Sequence, residues 1–240
     1  MDEIIANICA RQSPGGAFLS TVRLPFGDVE DRNCFVTGLV LREIAAVRGR
    51  PAVDEARRRA FGFLQRSKYP VYPYLFSFYP HRSHPFWMRS ALYADADDTS
   101  VIVPEMVRAG LLPAESMAYV AENYLLKYRA AGDFGRHLTE PWHREGVFLT
   151  WFTSADIENP IDCCVNTNVV GLLAAAGLRG MEGYAAACAM INEAAEQAAG
   201  RPEGGRRFTP YYPHPAEWFY ALERAVEAGA RELLPALEAL

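Results

Sequence analysis

Half of the 240 residues are hydrophobic, 22% are charged, and 29 Asp and Glu stand against 24 Lys and Arg for a formal net charge of −5. This is the balance of a folded chain with a sizeable core, sized for one large domain or two small ones. Over the whole chain it excludes the basic footprint that invites nucleic acid or an anionic membrane surface.

The chain opens Met1-Asp2-Glu3-Ile4-Ile5, with acids where a secretory leader carries lysine or arginine, so a cytoplasmic protein is expected. Gly16-Ala17-Phe18 and a polar cluster, Asp31-Arg32-Asn33, precede the first apolar periodicity, which predicts a helix over 35–47. Arg48-Gly49-Arg50-Pro51 reads as its stop, and a second helix is predicted over 54–66. An aromatic and proline-rich stretch from Tyr69 to Trp87 follows, too apolar for a disordered linker, and leads into the acidic run Asp95-Ala96-Asp97-Asp98. Ala109-Gly110-Leu111-Leu112-Pro113 is the next turn. Further helices are predicted over 114–130, 164–176, 181–199 and 216–239, with Ala176-Gly177-Leu178 and the aromatic stretch Arg207 to Trp218 between them. Strand alternation is scarce, so the expected class is all-α. The longest apolar run, Val169 to Leu178, is too short to span a bilayer. The five cysteines, Cys9, Cys34, Cys163, Cys164 and Cys188, form no CxxC pair, and most are expected to be small buried hydrophobes.

An internal repeat runs through this order. The segments beginning at Gly16-Ala17-Phe18, Pro85-Phe86-Trp87, Gly146-Val147-Phe148 and Phe208 each pass from an aromatic through a polar loop into an apolar helix. In the first three, Asn33, Asp95 to Asp98, and Asp162 with Asn166 and Asn168 mark the helix start. Helical hairpins repeated in this way predict a ring or solenoid whose helix N-termini share one rim. An irregular bundle is the alternative.

Within that pattern Asp95-Ala96-Asp97-Asp98-Thr99 resembles the DxDDT acid motif of class II terpene cyclases, the squalene–hopene cyclase family. Gln12-Ser13-Pro14-Gly15-Gly16-Ala17-Phe18 is similar to the QxxxGx(W/F) repeat of the same superfamily, and Gly146-Val147-Phe148 keeps its Gly-x-aromatic end with Trp142 in the glutamine position. The resemblance implies an α/α toroid over 1–240, a single domain where such enzymes usually combine two or more, so a partner domain or homo-oligomer is also implied. It further implies acid-initiated cyclisation or isomerisation of a hydrophobic polyprenyl substrate, with Asp97 as proton donor and Asp95 and Asp98 in support. Protonating an alkene or an epoxide demands a strong, positioned acid away from water, and carboxyls crowded in a dry site keep a proton that each would lose alone. The carbocation so formed is best surrounded by π-faces. Trp87, Tyr93, Trp142, Phe148, Trp151 and Trp218 are the candidates, with Phe86, Phe152, Tyr211, Tyr212 and Phe219 also near. No metal is needed for an alkene or epoxide, whereas a diphosphate would recruit Mg²⁺. His137 and His143 are candidates for assisting the acid.

Four other readings stay open. Aspartates at a helix start are also ordinary N-caps. The toroid is shared with protein prenyltransferases, and Asp162, Cys164 and His214 supply the ligand types of an open zinc site. Asp28, Glu30, Asp31, Asp97 and Asp98 also offer the paired carboxylates of a carbohydrate-active barrel. A non-catalytic pocket for an isoprenoid or a peptide is the non-enzymatic counterpart. Dinucleotide, P-loop, GxSxG and HExxH patterns are missing from the sequence.

Overall fold

A computed structural model describes residues 2–47, 49–200, 205–212 and 214–240. Met1, Arg48 of the first predicted helix stop and Pro213 of the second aromatic stretch lie outside the described residues. The protein is mostly helical and divides into two compact units, Met1–Leu111 and Leu112–Leu240.

The first unit opens with α1 (Asp2–Ala10), which the periodicity had not marked, and then forms an antiparallel hairpin of β1 (Leu19–Leu24) and β2 (Gly27–Arg32). The chain is mostly helical, as the sequence predicts, and this two-stranded hairpin is the one sheet among the described residues. β1 alternates Leu, Thr, Arg with Ser, Val, Leu, and Leu24 pairs with Gly27 around a Pro25-Phe26 tip. Proline presets φ for a turn and Gly27 takes φ +133°, a combination that closes a hairpin at little conformational cost.

Then come α2 (Cys34–Glu43), finished by a 3₁₀ turn at Ile44–Ala46, and α3 (Pro51–Ser67). Pro51 sits in the first turn of α3, where its missing N–H costs nothing. The Gln12 motif has a plain mechanical role. Its Nε2 donates to the carbonyls of Gly16 (2.9 Å) and Ala56 (2.8 Å), tying the loop to α3. Gly16 has φ +99°, and a Cβ there would stand 2.3 Å from the Arg59 carbonyl oxygen, so only glycine permits the approach. The unit ends in α4 (Ala96–Arg108), buried from Ala96 to Met106 despite Pro104 in its interior. α2 lies close on α4: a Cβ on Gly38 would come within 2.8 Å of the Ile102 side chain.

The second unit begins with α5 (Glu115–Val120), which continues as a π turn over Ala121–Leu125 rather than as the single helix expected over 114–130. A 3₁₀ turn at Gly132–His137 precedes α6 (Cys163–Ala175), α7 (Tyr184–Ala198), α8 (Gly205–Phe208) and α9 (Pro215–Glu227). The helix expected over 216–239 is broken at Gly229, whose φ of +107° ends it before a 3₁₀ turn and α10 (Leu234–Ala239). α6 is the core element, buried along nearly its whole length, and Gly171 lets it approach Ala225 of α9. Gly183, φ +96°, opens α7 against the carbonyl of Gly146, where a Cβ would be 2.6 Å away, much as Gly16 meets α3.

Candidate acid site at the start of helix α4

The polar helix starts marked by the sequence share one construction. Asn33 caps α2, its Oδ1 accepting from the Val36 N–H at 2.7 Å, while the Thr37 hydroxyl accepts from the Phe18 N–H at 3.2 Å. Asp95 caps α4, its Oδ1 accepting from Asp98 N–H at 2.6 Å, while Thr99 Oγ1 accepts from Phe76 N–H at 3.2 Å. Asp162 caps α6, its Oδ1 accepting from Val165 N–H at 3.0 Å, while Asn166 Oδ1 accepts from Phe148 N–H at 3.0 Å. In each, the cap satisfies a free N–H and the residue four places on clamps a phenylalanine backbone. One alignment is thereby corrected. In the second repeat Phe76, not Phe86, stands where Phe18 and Phe148 stand, because the backbone that pairs with Thr99 must reach α4 as an extended strand, whereas Phe86 lies on an exposed loop.

The segment around Phe76 draws the first unit's helix starts together. The Phe76 carbonyl accepts from Asp95 N–H at 3.0 Å and the Phe78 carbonyl from Cys34 N–H at 2.7 Å. Asp95, Asp97 and Asp98 are consequently buried, only 3%, 8% and 3% exposed. Capping and burial therefore coexist: Asp95 is an N-cap, and all three carboxyls have left water.

Their electrostatics follow from that burial. Desolvation is the first cause that pushes Asp95 well above the ordinary carboxylate range, with the Asp97 charge next. For Asp98 desolvation again leads, followed by the charges of Asp95 and Asp97. The two side chains hydrogen-bond to each other, and that bond favours the ionised form of Asp95 and the protonated form of Asp98. Both carboxyls are thus raised together, and the pair holds a shared proton more tightly than a free carboxyl would. Backbone N–H groups of Asp97 and Asp98 support the Asp95 charge. Oδ1 of Asp98 is buried without a hydrogen-bond partner.

Three neighbours of this pair carried no signal in the sequence. Burial first, and then the Asp98 charge, push the Cys34 thiol well up, while a hydrogen bond with Ser67 opposes them. Tyr69 is raised by burial and, more weakly, by Asp95 and Asp98, against a hydrogen bond with Ser77. Cys34 is the first residue of α2 after the Asn33 cap, a position from which the repeat could have placed it beside α4. Nothing local marks Ser67 or Tyr69. Next to them Asp31 is buried and accepts from Asn33 Nδ2 (2.8 Å) and the Tyr79 hydroxyl (3.3 Å), whereas Asp28 pairs with Arg23 on the exposed hairpin and Glu30 is exposed as well. At the opposite, C-terminal end of α4 lies an open groove of about 590 Å³. Two of its arginines are already engaged, Arg58 with Glu55 and Arg108 with Glu105.

The aromatic candidates separate by unit. In the first, Trp87 is half-buried against Phe86 and Tyr93 is exposed. In the second, Trp142, Phe148 and Trp218 are buried, and Trp151 packs at 5.5 Å from Tyr211. Trp142 meets Phe208 at 4.7 Å, Phe208 meets Trp218 at 6.4 Å, and the Arg207 guanidinium lies 4.1 Å from the Trp142 ring. Trp218 Nε1 donates to Thr167 Oγ1 at 3.1 Å. His137 and His143 belong to this unit. Burial lowers both, and His143 Nδ1 accepts from the Thr139 and Glu140 N–H groups at 3.1 and 3.2 Å.

The residues of the zinc reading are engaged in capping. Asp162 spends its second oxygen on the Tyr211 N–H at 3.0 Å. His214 caps α9 with Nδ1 accepting from Ala216 N–H at 3.2 Å, and Glu217 completes the capping box. The Cys164 thiol faces the Glu217 carbonyl at 4.0 Å. Among the described residues no three His, Cys, Asp or Glu side chains gather to hold a metal ion. No helix among the described residues is long and apolar enough to cross a membrane. Comparison of the chain with family models, with curated proteins and with solved structures finds no significant match in any of the three.

Proposed function

We propose that the protein is an acid catalyst that protonates an isoprenoid substrate and so initiates its cyclisation or isomerisation. The observation that carries this reading is the burial of Asp95, Asp97 and Asp98 together at the start of α4, where loss of water and mutual charge raise Asp95 and Asp98 well above the ordinary carboxylate range. Carboxyls in this condition hold a proton more tightly than free ones, and a positioned, protonated carboxyl away from water is what protonating an unactivated alkene or epoxide demands. Asp97, the middle carboxyl of the motif, takes a proton from the Asp95–Asp98 pair and delivers it to an alkene carbon or epoxide oxygen. The cation is stabilised by aromatic faces and quenched by loss of a proton or by water, so the step balances without an oxidant or reductant. The repeated cap-and-clamp construction supports a frame of repeated helical hairpins, the kind of unit from which an α/α toroid is built.

The test is incubation of the purified chain with linear isoprenoids, both free and diphosphorylated, followed by mass spectrometry of the extracts. The expected result is a cyclised or isomerised product that is lost in Asp97→Asn and in Asp98→Asn, with the fold retained by circular dichroism. Turnover by Asp97→Asn equal to the parent would overturn the assignment of the donor, and turnover by both variants would overturn acid initiation by this motif.

A further inference from the structure

The net charge of −5 conceals a strong local asymmetry. From Ala56 to Ala94 the sequence contains no Asp or Glu, yet it carries seven Lys or Arg, leaving the acidic excess to the rest of the chain. The part of this segment that follows α3 holds large apolar side chains in water: Val71 is 78% exposed, Tyr72 55% and Phe86 73%. Lys68, Arg82 and Arg89 are exposed in the same segment of sequence. Phe86 does not stand alone. Its ring lies 6.0 Å from that of Phe26, 68% exposed at the Pro25-Phe26 tip of the hairpin, and 5.0 Å from Trp87. Hairpin tips are ordinarily built of Asn, Asp and Gly, so a phenylalanine held there against a second phenylalanine is not explained by turn chemistry.

We propose that this face of the first unit is an interfacial anchor for an anionic lipid bilayer, with the Phe26–Phe86 pair entering the headgroup region and Lys68 and Arg89 meeting lipid charge. Exposed apolar side chains in contact mark interaction surfaces, and aromatic rings on a segment rich in lysine and arginine and free of acids, beside a hairpin whose exposed acids are Asp28, paired with Arg23, and Glu30, are the chemistry of the bilayer interface. A bilayer is favoured over a nucleic acid because exposed Val71 lies between Pro70 and Pro73, aliphatic surface that stacks on no base yet transfers readily into the acyl boundary. The anchor is peripheral, and it stands independently of the acid chemistry at α4.

The test is co-sedimentation of the full chain with phosphatidylcholine vesicles and with vesicles of phosphatidylcholine mixed with phosphatidylserine, at low and high salt, and with a single-stranded oligonucleotide in place of lipid. Binding is expected only to the phosphatidylserine vesicles, weakened by salt. It should weaken about tenfold or more in the Phe26→Ser, Phe86→Ser double variant, since both rings lose their transfer into the interface. Lys68→Glu with Arg89→Glu should abolish it without altering the thermal unfolding of the protein, because both side chains are exposed. Absence of binding to either vesicle, binding indifferent to both double variants, or stronger binding to the oligonucleotide than to lipid would each overturn the proposal.

Discussion

The helix starts of α4 and α6 are built alike and charged differently. In the second unit both oxygens of Asp162 receive backbone N–H groups, from Val165 and Tyr211, and Asn166 grips both the N–H and the carbonyl of Phe148. The carboxylate is buried and fully satisfied, so it is structural. In the first unit Asp95 performs the same cap, but Asp98 is added one turn on with an oxygen that nothing satisfies, and Asp97 beside it. A burial that costs free energy has been placed where a simpler cap would have sufficed. That is the condition in which a functional group, rather than a stabilising one, is retained.

The contrast can be broken most severely in the second unit. Asp162→Ala leaves the Val165 and Tyr211 N–H groups without their acceptor and should destabilise the protein by about 3 kcal/mol, read from denaturant unfolding. A loss below about 1 kcal/mol would show that Asp162 is not the structural member of the pair. Asn166→Ala should cost about 2 kcal/mol, since three hydrogen bonds to buried backbone are lost, against about 1 kcal/mol for Thr99→Val at the equivalent place in α4. Measuring the two together sharpens the comparison, because equal losses would mean that the two clamps carry the same load.

Asp98→Asn should act with the opposite sign, stabilising the protein by about 1 kcal/mol at pH 7, because an amide stays neutral in the buried site without taking up a proton on folding. Its pH dependence is distinctive. A carboxyl raised in the folded state binds its proton more tightly than in the unfolded chain, so its contribution is present below the ordinary carboxylate range and is lost as pH rises through the elevated folded value. The parent should therefore lose stability with rising pH above about 4, and Asp98→Asn should flatten that slope in thermal melts. An unchanged slope would remove the shared proton from the account. Stabilisation accompanied by loss of turnover would identify Asp98 as strain kept for chemistry.

How far the sequence reached is clearest at particular residues. Asn33, Asp95 and Asp162 were legible as helix starts, because capping is a local competition for free N–H groups and a few residues decide it, whereas His214, read as a metal-ligand type, turned out to cap α9. The hairpin was missed because alternation over β1 is short and its pairing partner, β2, is too rich in acids to read as a strand. The break at Gly229 was missed because apolar periodicity continues across it, whereas the left-handed conformation is visible only in the backbone.

The sequence by itself determined where α2, α4 and α6 begin, that carboxyls cluster at one of those beginnings, and that a glutamine and a glycine stand ahead of the first. Only the tertiary structure decided that Phe76 rather than Phe86 is clamped beside that cluster, that Cys34 and Tyr69 lie near enough to feel its charge, and that burial raises Asp95 and Asp98 together. The division has one physical cause. Capping and helix propensity depend on neighbours along the chain, but desolvation and the sharing of a proton depend on which distant segments exclude water from the same few ångströms.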